Sequence, residues 1–190
     1  MIGAITAGLF SSGGAPAATA SYESIATYTV GAGGVSSIDF TSIPSTYKHL
    51  QVRVLTRGTS TVNAVCMRFN TDTTTANYNG HILYGDGSSA AATNPGTNPY
   101  MQIGSMPTSS AGANIFGASV MDILDYTSTN KYKTVRSLAG YDLNGSGYMV
   151  LWSGVWMKSP ETITTVTLLP NAATGNFAQY SSFALYGIKG

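Results

Sequence analysis

The fold class is decided by residues 35–57, VSSIDFTSIPSTYKHLQVRVLTR. Ile38 and Phe40 alternate with polar neighbours, and after the break at Pro44 the alternation resumes through residues 50–54. Apolar and polar residues that alternate with a period of two are typical of a strand that buries one face. The stretch therefore predicts strand, turn and strand, a hairpin-like nucleus whose apolar face belongs to a core.

The same alternation recurs along the rest of the chain, between clusters of Gly, Asn, Ser and Pro. Nine or ten strands separated by turn signals, with no convincing helix, predict an all-β fold, a single antiparallel β-sandwich. Among sandwiches we favour a jelly roll, although the pattern does not determine the strand order. Residues 88–114 are the least patterned part, and a loop of that length needs a structural or functional reason.

The chain divides into an N-terminal arm, residues 1–20, and a sandwich domain, residues 21–190. Residues 11–20 are small and have the composition of a flexible linker. Ahead of them lie four sizeable apolar residues that a solvated tail would leave exposed: Ile2, Ile5, Leu9 and Phe10. We expect these four to bind a partner as the arm orders on docking, and the alternative is a disordered tail without function.

The composition indicates a protein that associates. Only 9% of the 190 residues are charged and the formal net charge is +1, whereas a typical domain has about a quarter charged residues. A net charge near zero favours association, and we expect copies or partners to cover this surface. The alternative is an ordinary low-charge β domain with a threonine-rich surface.

Several classes of protein and partner are disfavoured. The nine Lys and Arg residues are scattered, so no nucleic-acid partner is expected. No apolar run approaches the roughly 18 residues of a membrane span, so no membrane partner is expected either. The first basic residue is Lys48, so we expect synthesis in the cytoplasm without a signal peptide. The single cysteine, Cys66, excludes an intrachain disulfide framework.

No constellation of residues predicts catalysis, a cofactor or a metal. The two histidines lie far apart in sequence, and we interpret His49 as a packing or hydrogen-bonding residue. Asp122 and Asp125 would point to opposite faces of one strand, so salt bridges to nearby lysines or Arg136 are the expected use. The oxygen-rich residues 70–77 lack the acid density of a calcium loop and indicate a turn. We therefore expect a non-enzymatic protein.

Three aromatic residues are candidates for ligand or interface contacts: Tyr100, Trp152 and Trp156. The two tryptophans are four residues apart and share one face of a strand, with Gly154 between them on the same side. Aromatic side chains on one face of a sheet can stack on sugars, but they can also belong to the core. In a sandwich we favour the core.

Residues 38–53 resemble virion structural proteins of tailed bacteriophages. Residues 77–81, 122–126 and 182–189 strengthen the resemblance, and the opening residues 1–10 are similar to the starts of such proteins. The resemblance covers most of the chain and implies a family more clearly than a role. The family includes capsid decoration proteins, also called cement proteins, and components of tails and fibres, and its members are often trimeric.

The resemblance implies a virion protein, and we expect a capsid decoration protein on the exterior of the particle. It would stabilise the head by bridging neighbouring capsid subunits, with copies of itself (a homotrimer) and the major capsid protein as partners. Its arm would reach onto a neighbouring subunit. The alternative is a tail or tail-fibre component, such as a host-glycan-binding module. A depolymerase ranks lower because no paired-carboxylate site is evident.

Overall fold

The computed structural model of the chain describes residues 21–171 and 174–190, so the arm of residues 1–20 lies outside the described residues. The described part contains twelve β-strands, one 3-10 turn at Thr75–Asn77 and no α-helix. In chain order the strands are β1 Tyr22–Thr29, β2 Ile38–Phe40, β3 His49–Thr56, β4 Ala64–Phe69, β5 Tyr78–Gly85, β6 Ala90–Thr93, β7 Met101–Ser105, β8 Gly117–Leu124, β9 Lys133–Asp142, β10 Gly147–Trp156, β11 Val166–Pro170 and β12 Ser182–Ile188.

The strands form two antiparallel sheets. The larger sheet has the order β1-β12-β3-β8-β9-β10-β5-β6, and the smaller has the order β2-β11-β4-β7. Four antiparallel pairs, β1–β12, β2–β11, β3–β8 and β4–β7, join early strands to late ones as if one long hairpin had been rolled up. This is the strand pairing of a jelly roll. The predicted antiparallel β-sandwich is therefore confirmed, and its strand order, which the sequence left open, is that of the favoured jelly roll.

Two insertions give the larger sheet twice as many strands as the smaller sheet. Strands β5 and β6 lie in the chain between the jelly-roll strands β4 and β7, and β9 and β10 lie between β8 and β11. All four add to the larger sheet beyond β8. We call these four strands, β9, β10, β5 and β6, the extension, because the eight other strands complete the jelly roll without them.

The two strands of residues 35–57 are not a hairpin, so that interpretation is wrong. Strand β2 pairs with β11 in the smaller sheet, whereas β3 pairs with β12 and β8 in the larger sheet. Residues 41–48 cross between the sheets, with Ile43 buried and the carbonyl of Pro44 accepting a hydrogen bond from the Tyr126 hydroxyl. The period of two correctly gave the buried face of each strand, but it carries no information about the partner strand.

The core lies between the sheets and is formed by the inward positions of both. Trp156, Tyr78, Tyr126 and Phe69 are among the largest fully buried side chains. Gly154 allows β7 to lie close to β10, because a Cβ at this position would collide with the thioether of Met101. The predicted pairing of the two tryptophans with a glycine between them therefore belongs to the core.

The carboxylate of Asp72 holds together one end of the sandwich. Its Oδ2 accepts hydrogen bonds from the indole N–H of Trp156 and the side-chain amide of Asn77, both at 2.7 Å, and its Oδ1 accepts one from the backbone N–H of Thr74 at 3.0 Å. Burial alone would raise the pKa of Asp72, but these donors outweigh it and hold the pKa at about 2. The ionised carboxylate is therefore part of the folded state.

Acid should destabilise the protein between about pH 4 and pH 2. A carboxyl whose pKa is lower in the folded chain than its ordinary 3.8 stabilises the fold above pH 4, and the stabilisation disappears as pH falls toward 2. Donors also lower the pKa of Asp86, through the Ser88 and Ser89 amides, and of Asp125, through Lys131 and Lys48. Urea unfolding at pH 5, 4, 3 and 2 should show this loss, and an Asp72→Asn variant should show less of it. A free energy of unfolding that stays constant down to pH 2 would contradict the role of the ionised Asp72 carboxylate in the fold.

Residues 88–116 are ordered by their contacts with the sandwich. Residues 90–93 form the edge strand β6, and residues 101–105 form β7. The next segment is held by the guanidinium group of Arg57, which donates hydrogen bonds to four backbone carbonyls, those of Ser109, Ala111, Gly112 and Ile115. A five-donor group is suited to this task, since it can satisfy several carbonyls of one loop at once.

Replacing Arg57 by methionine should release this loop without unfolding the sandwich. The substitution keeps an unbranched stem but removes all four hydrogen bonds. Each is worth about 1 kcal/mol net or more, so we expect the amides of Ala111 and Ile115 to exchange with deuterium at least about tenfold faster. An Arg57→Lys variant, which keeps the charge but fewer donors, should show a smaller increase. Unchanged exchange in Arg57→Met would contradict the role.

Candidate assembly surface on the larger sheet

The outer face of the extension exposes large apolar side chains. Leu138, Leu151, Leu83 and Met149 are 50%, 52%, 53% and 63% exposed, respectively. Each occupies an outward position of its strand, because the residues before and after it point toward the core or the sheet edge. Isolated exposed leucines are common on proteins, but a contiguous set is typical of an interaction surface.

The register of the strands places these residues side by side. Val120 of β8 lies opposite Leu138 of β9, Leu138 opposite Leu151 of β10, Leu151 opposite Leu83 of β5, and Leu83 opposite Ala92 of β6. These five residues, Val120, Leu138, Leu151, Leu83 and Ala92, form the apolar row. Four inter-strand spacings separate its ends, or about 19 Å. The row therefore crosses the whole extension without a charged residue.

A row of polar residues runs along one side of the apolar row. Asp122, Arg136, Ser153 and His81 lie on consecutive strands in direct register. Together with the apolar row they line a shallow groove of about 610 Å³. Arg136 is directly opposite Asp122 in the register, and the carboxylate of Asp122 accepts a hydrogen bond from the side-chain amide of Gln51 at 2.8 Å. The groove thus has an apolar side and a polar side that carries both signs of charge.

Small residues border the other side. Ala118, Gly140, Gly85 and Ala90 lie in one register row, which also contains Met149 of β10 and continues on β3 with Leu55. A Cβ at Gly140 would meet the backbone carbonyl of Tyr148, so the sheet itself requires glycine there. Because the neighbouring side chains are short, the leucines of the apolar row stand clear of the surface and are accessible to a partner.

An aromatic and basic cluster lies at the β1 side of the same face. Arg53, which is opposite Val120, lies over the stacked rings of Tyr22 and Tyr186, 5.4 and 5.7 Å from their centroids. The Tyr22 hydroxyl donates to Gln51 at 2.6 Å, and Arg53 donates to the same oxygen at 2.8 Å. Partial burial raises the pKa of Tyr22 in spite of Arg53, so its hydroxyl remains a donor. This cluster fixes the start of β1 on the outer face.

The three predicted aromatic candidates are all buried. Trp156 is 1% exposed and donates a hydrogen bond to Asp72, and Trp152 is 7% exposed. Tyr100 is also 7% exposed, and its hydroxyl donates a hydrogen bond to Asn171 at 2.9 Å. The tryptophans point between the sheets, and Tyr100 packs with Cys66 and Leu169. The core interpretation therefore holds for the tryptophans, and none of the three side chains is presented to a ligand on the surface.

A different group of aromatic residues is half-buried at the tips of the β5–β6 and β9–β10 turns, where Tyr84 and Tyr148 pack against the core. The rings of Tyr84 and Tyr148 are 5.2 Å apart, and those of Tyr148 and Tyr141 are 6.2 Å apart. Tyr141 and Tyr148 line a concave surface of about 440 Å³ with the carboxylates of Asp86 and Asp142. Burial and the neighbouring phenols raise the pKa of Tyr148. Sequence reasoning missed this cluster because its members come from three strands.

His49 and Asp125 have structural roles. The Nδ1 atom of His49 accepts a hydrogen bond from the backbone N–H of Asp125 at 3.0 Å, as expected of a hydrogen-bonding residue. Asp125 forms ion pairs with Lys48 at 3.0 Å and Lys131 at 2.7 Å. Within residues 21–171 and 174–190, no three His, Cys, Asp or Glu side chains are placed to hold a metal ion. Burial raises the pKa of the Cys66 thiol.

The predicted partner-binding residues Ile2, Ile5, Leu9 and Phe10 lie outside the described residues, so their contacts stay a prediction. In the described part of the chain no helix is long and apolar enough to cross a membrane. Comparison of the chain with protein-family models, with curated proteins and with solved structures finds no match.

Proposed function

We propose that this chain is a non-enzymatic structural protein of a tailed-bacteriophage virion, a capsid decoration protein that packs against its neighbours through the apolar row. The observation that carries the proposal is the exposed row of five apolar residues across the extension. The extension is not needed to close the jelly roll, yet it presents leucines outward where a free domain would carry charges. A surface of this kind is stabilised when a partner covers it.

The composition supports the same role. With 9% charged residues and a net charge of +1, copies of the chain repel one another weakly and can lie close together. In a decoration protein the partners are copies of the chain, as a homotrimer, and the major capsid protein. Many weak contacts per oligomer raise the effective concentration of each further contact, so a layer of such subunits can bridge neighbouring capsid subunits and stabilise the head.

Electron microscopy of particles from the phage that encodes the chain tests the proposal. Subunits should appear on the outer surface of the head in a regular lattice, in hundreds of copies, with the outer face of the larger sheet against another protein. A handful of copies at one vertex would place the chain in the tail. Absence of the chain from purified particles would contradict a virion role altogether.

A tail or tail-fibre module that binds host glycan is the second candidate, and the tyrosine cluster at Tyr84, Tyr141 and Tyr148 favours it. Aromatic rings beside carboxylates can stack on a sugar and accept hydrogen bonds from its hydroxyls. A glycan array probed with the chain and with a Tyr148→Ala variant separates the two candidates. Binding that is lost in the variant supports the tail module, and no binding by the parent protein leaves decoration as the better proposal.

A further inference from the structure

We propose that the chain covers its own apolar row in the free protein, with residues 2–10 of the arm as the occupant. The docked side chains are Ile2, Ile5, Leu9 and Phe10, and the ligand chemistry is a short uncharged apolar peptide. The inference concerns the isolated protein, so docking of the arm does not depend on the proposed virion role. Only the exchange of arms between copies, described below, rests on that role.

The arm is long enough to reach the row. Three inter-strand spacings, or about 14 Å, separate the edge strand β1 from β8. Tyr22 is level with His49, which is four residues, or about 13 Å, along β3 from the residue opposite Val120. The start of β1 therefore lies about 19 Å from the near end of the apolar row. Residues 11–20 can span up to about 33 Å when extended. Residues 2–10 can span a further 26 Å or so, compared with about 19 Å for the row. The arm is therefore long enough to reach the row and to cross it completely.

The arm departs from the outer face of the larger sheet. Tyr22, the first residue of β1, places its ring on the outer face, where it stacks on Tyr186 and donates to Gln51. Arg53 lies over both rings and is directly opposite Val120, the first member of the apolar row. The chain therefore enters the sheet on the same face as the row, at the level of His49, which is four residues along β3 from Arg53.

The arm and the apolar row are chemically complementary. Residues 1–22 contain no charged side chain, and the apolar row contains none. Burial of leucine and isoleucine side chains against each other is favourable, because it removes apolar surface from water. The short side chains at Ala118, Gly140, Gly85 and Ala90 leave room beside the leucines for such a peptide.

Covalent connection favours the chain's own arm over that of a second copy. A linker of about ten residues gives an intramolecular segment an effective concentration in the millimolar range, far above the micromolar concentrations of dilute protein. On a particle, where neighbours are held close, the same contact can form between copies. Exchange of an identical element between copies requires no second interface and would link the subunits.

Paramagnetic relaxation in the full-length protein tests the proposal. A nitroxide attached at Thr6→Cys labels the arm alone, because Cys66 is buried. The amide signals of Leu138, Leu151 and Leu83 should lose most of their intensity. Signals of Arg68 and Thr167 in the smaller sheet should keep far more, because the second layer is about 10 Å farther away. A second version that carries Ile5→Asp and Leu9→Asp should restore the signals of the apolar row.

Each outcome has a clear meaning. Docking of the chain's own arm is supported if the loss of amide signal is confined to the outer face, is independent of dilution and is abolished by the two aspartates. The same loss of signal in a mixture of nitroxide-labelled protein with isotope-enriched protein that carries no nitroxide would overturn it in favour of a second copy. Unchanged amide signals on the outer face of the larger sheet, or an equal loss of signal over both sheets, would also overturn the proposal. A Ser11→Asp and Ser12→Asp control should behave like the parent. Absence of the chain from virions would leave these results unchanged, so the two proposals fail separately.

Discussion

Replacement of Asp72 by alanine should lower the free energy of unfolding by about 3–5 kcal/mol. The carboxylate accepts three hydrogen bonds, from Trp156, Asn77 and Thr74, and Trp156 is 1% exposed. Without Asp72 the indole N–H would remain buried and lack its acceptor, and an orphaned donor costs about 1–3 kcal/mol by itself. Loss of two charge-assisted bonds to residues of the same turn adds to this.

Urea unfolding of the single and double variants measures the effect and isolates its cause. Trp156→Phe removes the indole N–H and keeps an aromatic ring in the core. If the carboxylate–indole bond is important, Asp72→Ala should cost less in the Trp156→Phe background, with a coupling free energy of at least about 1 kcal/mol. Equal losses in both backgrounds would contradict the role of this bond. Asp86→Ala is the matched control, because Asp86 also has a low pKa but accepts only from Ser88 and Ser89 in an exposed turn. The Asp86→Ala variant should lose much less free energy of unfolding than the Asp72→Ala variant.

Local sequence was sufficient for the fold class because burial alternates along most of the strands. In β3, β8 and β9 alternate residues are buried, as the period of two predicted. The partner of each strand was not predictable, because the alternation is the same for a strand of either sheet. Thus the alternation predicts a hairpin of β2 and β3, although the two strands lie in different sheets. Strand β6, Ala90–Thr93, was missed because alanine and threonine alone give a weak strand signal.

The candidate surface was also beyond local reasoning, although its signal was present. Residues 148–152 are apolar at both odd and even positions, a pattern typical of strands that are buried on both faces. The structure covers only the inner face, with Val150 and Trp152, and leaves Met149 and Leu151 exposed. From the sequence alone, the residues of this segment that are candidates for ligand or interface contacts are its tryptophans. The outer face is the open one because β7 of the smaller sheet packs on the inner face of the extension.

A paired substitution, Leu138→Lys with Leu151→Glu, should abolish assembly and leave the fold intact. The two positions are directly opposite each other on β9 and β10, so the new charges can form a cross-strand pair worth about 0.2–1 kcal/mol. The net charge of the chain is unchanged, which excludes repulsion between copies as the cause. Each leucine withdrawn from a partner surface costs about 1.5–3 kcal/mol, so we expect binding to weaken by about two to four orders of magnitude.

Rebinding to particles that lack the protein measures this loss, and thermal unfolding checks the fold. The matched control is Tyr132→Lys with Met157→Glu, which adds the same two charges to exposed positions just before β9 and just after β10. The control should bind like the parent, because it lies beyond the ends of the strands and off the apolar row. If the paired variant decorated particles as well as the parent, the apolar row would not be the assembly surface. Loss of binding in both variants would show that added charge anywhere on these strands is sufficient, which would also contradict a localised contact. Only a loss that follows the apolar row connects the extension of the sheet to assembly.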